Sequence, residues 1–181
     1  MIIKGIIDEC FNDYKKPAMY IAFPYCSFKC DVLNGCQVCQ NSALAKEKEY
    51  SIKKEELIER YLKNPITSAI VFSGLEPFDS VLEVIAFIAC LRNEYQCNDD
   101  IVIYTGYTEE ELREGRYGKN ATPDLVLAGF YDYICQFSNI IIKFGRFIMN
   151  DTSHFDEVLG VTLSSRNQYA RCISNDNQKQ S

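Results

Sequence analysis

The stretch Cys26 to Asn41, "CSFKCDVLNGCQVCQN", sets four cysteines within fourteen residues and closes on a Gln-Asn pair. Thiols at this density are where the sequence could do chemistry, and three chemistries compete. Four thiolates could close a tetrahedral zinc site. Structural zinc modules, however, usually leave ~12 or more residues between their ligand pairs, and only five separate Cys30 from Cys36. A thioredoxin-like redox pair at Cys36-Gln-Val-Cys39 normally sits on a helix N-terminus and would leave Cys26 and Cys30 unexplained. An iron-sulfur cluster needs soft thiolates on a loop, and a set of three leaves one iron open to substrate. The Cys-x3-Cys of Cys26 and Cys30 with one further cysteine downstream supplies that set.

The other five cysteines, 10, 90, 97, 135 and 172, are scattered and read as small buried hydrophobes, Cys90 and Cys135 most clearly. The odd total of nine does not fit a paired disulfide framework.

The elements that position the cysteine loop follow from four continuous apolar runs: "MYIAF" (19–23), "SAIVF" (68–72), "IVIY" (101–104) and "NIIIK" (139–143). Runs without alternation are the pattern of strands buried on both faces, as in parallel sheets covered by helices. Helical segments lie between them. Residues 51–63 open on Ser51 as a cap, with Ile52, Leu57, Ile58, Tyr61 and Leu62 on one face. Residues 79–95 are apolar nearly all round, which predicts a well-buried helix. Residues 108–114 begin with Thr108 and three glutamates, a cap and an acidic first turn. Residues 115–137 read as an irregular stretch and then a short helix leading into the fourth strand.

Strand and helix in alternation predict an α/β fold with a parallel sheet and right-handed crossovers. Complete βα barrels typically need about 250 residues, so the expectation for 181 residues is a partial, open (βα) barrel, with a small doubly wound sheet as the other possibility. Each strand is followed by a polar or Gly-bearing turn: "PYC", "SGLEPF", "TGYT" and "FGRF". Loops at the carboxyl ends of parallel strands line ligand sites, so all four should meet at one mouth that includes the cysteines.

A formal charge of −6 with no cationic stripe argues against nucleic acid and anionic membrane surfaces as partners. The N-terminus meets acidic residues too early for a secretory signal, and the longest apolar run falls far short of the ~20 residues that span a bilayer. The expectation is a soluble, cytoplasmic protein with one domain over residues 1–173 and a polar, frayed tail over 174–181. His154, the only histidine, lies in a polar stretch and reads as a surface residue.

Five motifs in order bring the chain close to a known group. The cysteine loop ending in Cys39-Gln40-Asn41 resembles a CxxxCxxC loop ending in Cys-x-Asn. Ser73-Gly74-Leu75-Glu76-Pro77 resembles "SGGEP". Tyr104 to Thr108, followed by acidic residues and Leu112, reads "YTGYT". Gly145-Arg146-Phe147 resembles a "GRF" turn, and Ser165-Arg166-Asn167-Gln168 resembles a late Arg- and Asn-Gln-containing strand. From about Phe23 to Arg171 the chain resembles the radical S-adenosylmethionine superfamily, and within it the activating proteins of anaerobic ribonucleoside-triphosphate reductase.

That resemblance implies a [4Fe-4S] cluster held by Cys26, Cys30 and Cys39, with S-adenosyl-L-methionine chelating the remaining iron. Cys39 is preferred to Cys36 because Cys-Gln-Asn keeps the Asn that follows the third ligand, and "DVLNGC" then reads as an inserted turn. The implied cosubstrate contacts are Val38 against adenine, Gly74 through its backbone, Glu76 as loop organiser or acceptor for the ammonium, and Thr105 and Gly106 toward carboxylate or ribose. Leu75 stands where the family has Gly, which requires its φ to stay negative and its side chain to point away. Tyr104 and Tyr107 read as packing residues, and Arg146 and Arg166 as contacts or surface ion pairs. The implied activity is reductive cleavage of S-adenosylmethionine to a 5′-deoxyadenosyl radical that takes a hydrogen from a glycine of the reductase. The implied partners are the large reductase subunit and an electron donor such as flavodoxin or ferredoxin. A different radical target and a zinc-stabilised binding module are the alternatives.

Overall fold

The computed structural model describes residues 1–115 and 125–174. The chain runs β1 (Ile2–Ile3), β2 (Gly5–Cys10), β3 (Ala18–Phe23), α1 (Lys29–Asn34), α2 (Ser42–Lys46), β4 (Tyr50–Ser51), α3 (Lys54–Lys63) and β5 (Ala69–Gly74). It continues through a 3-10 turn (Pro77–Ser80), α4 (Val81–Asn93), β6 (Asp100–Tyr104), α5 (Glu109–Glu114) and α6 (Leu125–Ile134). It ends with β7 (Ile140–Phe144), β8 (His154–Asp156), β9 (Val161–Leu163) and β10 (Tyr169–Cys172). The class is mixed α/β. The central sheet has the order β10-β7-β6-β5-β3-β2, in which β3, β5, β6 and β7 are mutually parallel, while β2 and β10 run antiparallel at the two edges.

The four parallel strands coincide with the four apolar runs, and their alternation explains why those runs are continuous. One face carries large side chains, among them Met19, Ile21, Phe23, Ile70, Phe72, Ile101 and Ile142, packed against Leu57, Ile58 and Tyr61 of α3 and Val84, Phe87 and Ile88 of α4. Phe23, Phe72 and Phe87 meet edge to face with centroids 5.3 and 5.2 Å apart, each pair worth about 0.5–1.5 kcal/mol beyond its area. The other face carries mostly smaller side chains, Ala18, Ala69, Val71, Val102 and Ala170 with the larger Ile141, and is covered by Tyr14, Leu159 and Leu163. The second face leaves room near the carboxyl ends of the strands.

Several local expectations shift. Ser51 does not cap α3: it belongs to β4, paired with Ile2, and the helix starts at Lys54 with Lys53 at the cap position. Leu57, Ile58 and Tyr61 face the core as expected, whereas Leu62 is 46% exposed. The 79–95 helix is Val81–Asn93 preceded by the 3-10 turn, and Leu82 on it faces solvent. Thr108 does cap α5, in a full capping box with Glu111. Part of the 115–137 stretch and residues 175–181 lie outside the described residues, while Ser174 is tied to β7, its Oγ accepting from the Ile140 amide. Among the described residues no helix is long and apolar enough to cross a membrane.

Candidate functional site

The turns after β3, β5, β6 and β7 open on one cavity of about 380 Å³. Cys26, Cys30 and Cys39 line it, together with Gly74, Glu76, Thr105 and Gly106. The strand residues behind them, Tyr20, Tyr104 and Lys143, turn toward the same space from the small-residue face, joined at the wall by Ser73. Val161 to Ser164, from β9 and the turn after it, border the side. Cys36 is exposed and lies off the lining, its thiol 3.6 Å from the Asn34 carbonyl. Val38 is half-buried and also lies off the lining; its amide donates to Asp31 Oδ1 at 2.9 Å.

The thiols sit on a loop that the sequence bends tightly. The Phe28 amide donates to Cys26 Sγ at 3.2 Å, with Phe28 itself in the left-handed region at φ 49° just before α1. Burial pushes the Cys26 thiol up to about 12 and raises that of Cys39. Without metal these two are protonated at neutral pH, so a metal that takes thiolates must release their protons. Among the described residues no three Cys, His, Asp or Glu side chains draw together as ligands of one metal ion.

Glu76 is buried and bonded on both oxygens. Oε1 accepts from Thr105 Oγ1 at 2.7 Å and from the Phe78 amide at 3.1 Å, and Oε2 accepts from the Gly106 amide at 2.8 Å. Burial still pushes its carboxyl up to about 7, against the lowering effect of those donors. Its donors all come from the protein, so it ties the β5 loop to the β6 loop. Gly74, at φ +83°, carries the chain out of β5 so close to β3 that a Cβ would lie 2.8 Å from Ala22 Cα. Leu75 is absent from the positive-φ residues, and its side chain is 8% exposed at the cavity wall.

Lys143 and Asp31 carry no site signal in the sequence, and Asn41 only its place after Cys39-Gln40. Lys143, on β7, is 7% exposed at the cavity wall, and its ammonium donates to the Gly145 carbonyl at 2.8 Å. Burial lowers it to about 8. An ammonium has three donors, so the side chain keeps capacity for an anion in the cavity. Asn41 donates from Nδ2 to the Gly74 carbonyl, joining the end of the cysteine loop to the β5 turn. Asp31 binds the Val38 and Cys39 amides.

Tyr104, Tyr107, Arg146 and Arg166 have structural partners. The Tyr104 hydroxyl donates to the Asp13 carbonyl and that of Tyr107 to Asp79 at 2.6 Å. Arg146 forms a two-pronged ion pair with Glu111, and Arg166 pairs with Asp151. His154 is half-buried on β8, away from the cavity lining.

Comparison with known proteins gives the family. The 4Fe-4S single cluster domain matches residues 18–133, from the first residue of β3 into α6 and through the whole cysteine loop. The match spans more than half of the chain, and the protein belongs to this iron-sulfur family. No curated protein matches it.

Proposed function

We propose that this protein is a radical S-adenosylmethionine activating enzyme, built on a partial, open (βα) barrel, that generates a glycyl radical on the large subunit of an anaerobic ribonucleoside-triphosphate reductase. The observation that carries this reading is the joint placement of three thiols and one buried ammonium round a single cavity at the carboxyl ends of parallel strands. Three thiolates leave one iron of a four-iron group open, and an open iron serves substrate binding rather than storage. Cys26, Cys30 and Cys39 are the thiolate set in this reading, which the exposure of Cys36 to solvent supports.

The chemistry a bound [4Fe-4S] group supplies is the one-electron reduction that breaks a carbon–sulfur bond of S-adenosyl-L-methionine. The chain binds and orients that cosubstrate. Lys143 offers its ammonium to the carboxylate, and the Gly74 turn lets the methionine end approach backbone without a side chain between. Glu76 holds the Gly74 and Gly106 turns at fixed separation, and Thr105 acts through it. Val161 and Thr162 border the flank of the cavity. An acceptor of single electrons needs a donor such as flavodoxin or ferredoxin, consistent with a soluble, cytoplasmic protein.

The test is anaerobic reconstitution followed by S-adenosylmethionine and dithionite. The expected result is about four irons per chain with release of 5′-deoxyadenosine and methionine, and a glycyl radical signal in electron paramagnetic resonance when the reductase is added. Full iron without 5′-deoxyadenosine would sink the cosubstrate reading. Cleavage without a glycyl signal would move the activity to another target, and one zinc without iron would favour a structural metal module.

A further inference from the structure

The eight residues between Cys30 and Cys39 are tied down at two points. Asp31 Oδ1 accepts from the Val38 amide at 2.9 Å and from the Cys39 amide at 2.8 Å. The carboxylate that follows the second thiol thus clasps the backbone that carries the later one. Asn34 makes the second tie. Its Nδ2 donates to the Cys30 carbonyl at 2.7 Å and to the Phe147 carbonyl at 3.0 Å, and its Oδ1 accepts from the Met149 amide at 2.8 Å. Gly35, at φ +67°, turns the chain back after α1. Val32, Leu33 and Cys36, between the ties, are exposed, so packing does not order this stretch.

A loop of this length without internal bonds would hold Cys39 only loosely, since closing it costs conformational entropy. Hydrogen bonds from two amides to one carboxylate are charge-assisted and offset that cost. The same two amides are thereby withheld from sulfur, in contrast to the Phe28 amide on Cys26.

We infer that Asp31 is a positioning residue for Cys39, and that Asn34 pins the looped-out residues to the segment after β7. The inserted turn thereby delivers its thiol to the cavity despite its length. The inference rests on the reading of Cys26, Cys30 and Cys39 as the thiolate set. Within it, "DVLNGC" is a brace: Asp31 and Asn34 hold, Gly35 turns, and Cys36 contributes no ligand.

The experiment compares the parent with Asp31→Ala and Asp31→Asn as full chains. Amide hydrogen exchange is measured on the metal-free, reduced protein, and retained iron is measured after anaerobic reconstitution and desalting. In Asp31→Ala, exchange at Val38 and Cys39 should accelerate by about tenfold or more, the loss of a charge-assisted bond. Amides of β5 and β6 should be unchanged, and iron should be lost on desalting. Asp31→Asn keeps an acceptor oxygen in place and should restore both readouts toward the parent. Asp31→Leu, close to Asn in shape and without an acceptor, supplies the same comparison should the alanine chain not fold. Unchanged exchange at Val38 and Cys39 in Asp31→Ala, or full iron retention, would overturn the inference, as would an Asn variant as loose as the Ala one. Full iron in Cys39→Ala would instead overturn the thiolate reading, while the exchange rates still judge the clasp on their own.

Discussion

Thr105 Oγ1 lies 2.7 Å from Glu76 Oε1, both side chains buried, and together with the Gly106 amide on Oε2 this bond joins the turn after β6 to the turn after β5. The Tyr107 amide also donates to the Thr105 hydroxyl, at 3.0 Å, so Thr105 is a relay between backbone and carboxylate. Thr105→Val keeps the shape and removes the relay. It should destabilise the metal-free protein by about 1–3 kcal/mol, the cost of leaving buried polar groups short of partners, while Thr105→Ser should retain most of the stability. Urea unfolding of the three proteins checks this, and a Val variant as stable as the parent would show that the relay carries no stability.

Cys36 and Cys39 differ by three positions, yet one faces solvent and the other the cavity. Cys36→Ser should leave iron and sulfide per chain unchanged after anaerobic reconstitution, and Cys39→Ser should lose most of both. Iron and sulfide assays with the visible absorption spectrum decide the matter, and the reverse pattern would make Cys36 the ligand.

Gly74→Ala should be among the most damaging single substitutions away from the thiols. The φ of +83° already disfavours a side chain, and the new Cβ would meet Ala22 Cα at 2.8 Å and Ala22 Cβ at 2.9 Å. Strand β3 is paired along this whole edge, so it cannot withdraw locally. A loss of about 2–4 kcal/mol is expected from backbone strain together with overpacking, measurable as a lowered thermal midpoint of the metal-free protein.

The four parallel strands were legible because burial on both faces leaves no polar residue to interrupt "AIVF" or "III". The edge strands were not. "GIIDEC" follows Ile directly with two acids, and "YARC" is four residues long, so neither separates from a loop by pattern alone. The meeting of the cysteine, "SGLEP" and "TGYT" turns follows from strand order and could be anticipated. The parts of the site that escaped notice depend on pairing register and loop path. Lys143 reads as the polar end of a strand until its register opposite Tyr104 and Ala170 turns it into the cavity. Asp31 looks like a solvated loop acid until the chain folds back on it.

Lys143 sets stability against function in one side chain. Burial holds its folded-state ammonium near 8, well below its ordinary value of 10.5, with Glu76 and Cys30 opposing the shift only in part. Between those two values the unfolded chain binds the proton more than the folded one, so this residue makes stability rise with pH across that window. Below pH 8 the buried charge is a standing cost. Lys143→Met should therefore stabilise the metal-free protein at pH 7 by about 1–3 kcal/mol, because Gln168 Nε2 still serves the Gly145 carbonyl at 3.3 Å. The gain should shrink as the pH approaches 10.5. The same substitution removes the cation from the cavity and should weaken S-adenosylmethionine binding to the reconstituted protein by about tenfold or more. Urea unfolding at pH 7 and at pH 10, with equilibrium binding of the cosubstrate, measures both sides. A Met variant less stable than the parent at pH 7 would mean that the ammonium is already paid back by its protein partners, leaving no surplus charge for a ligand carboxylate.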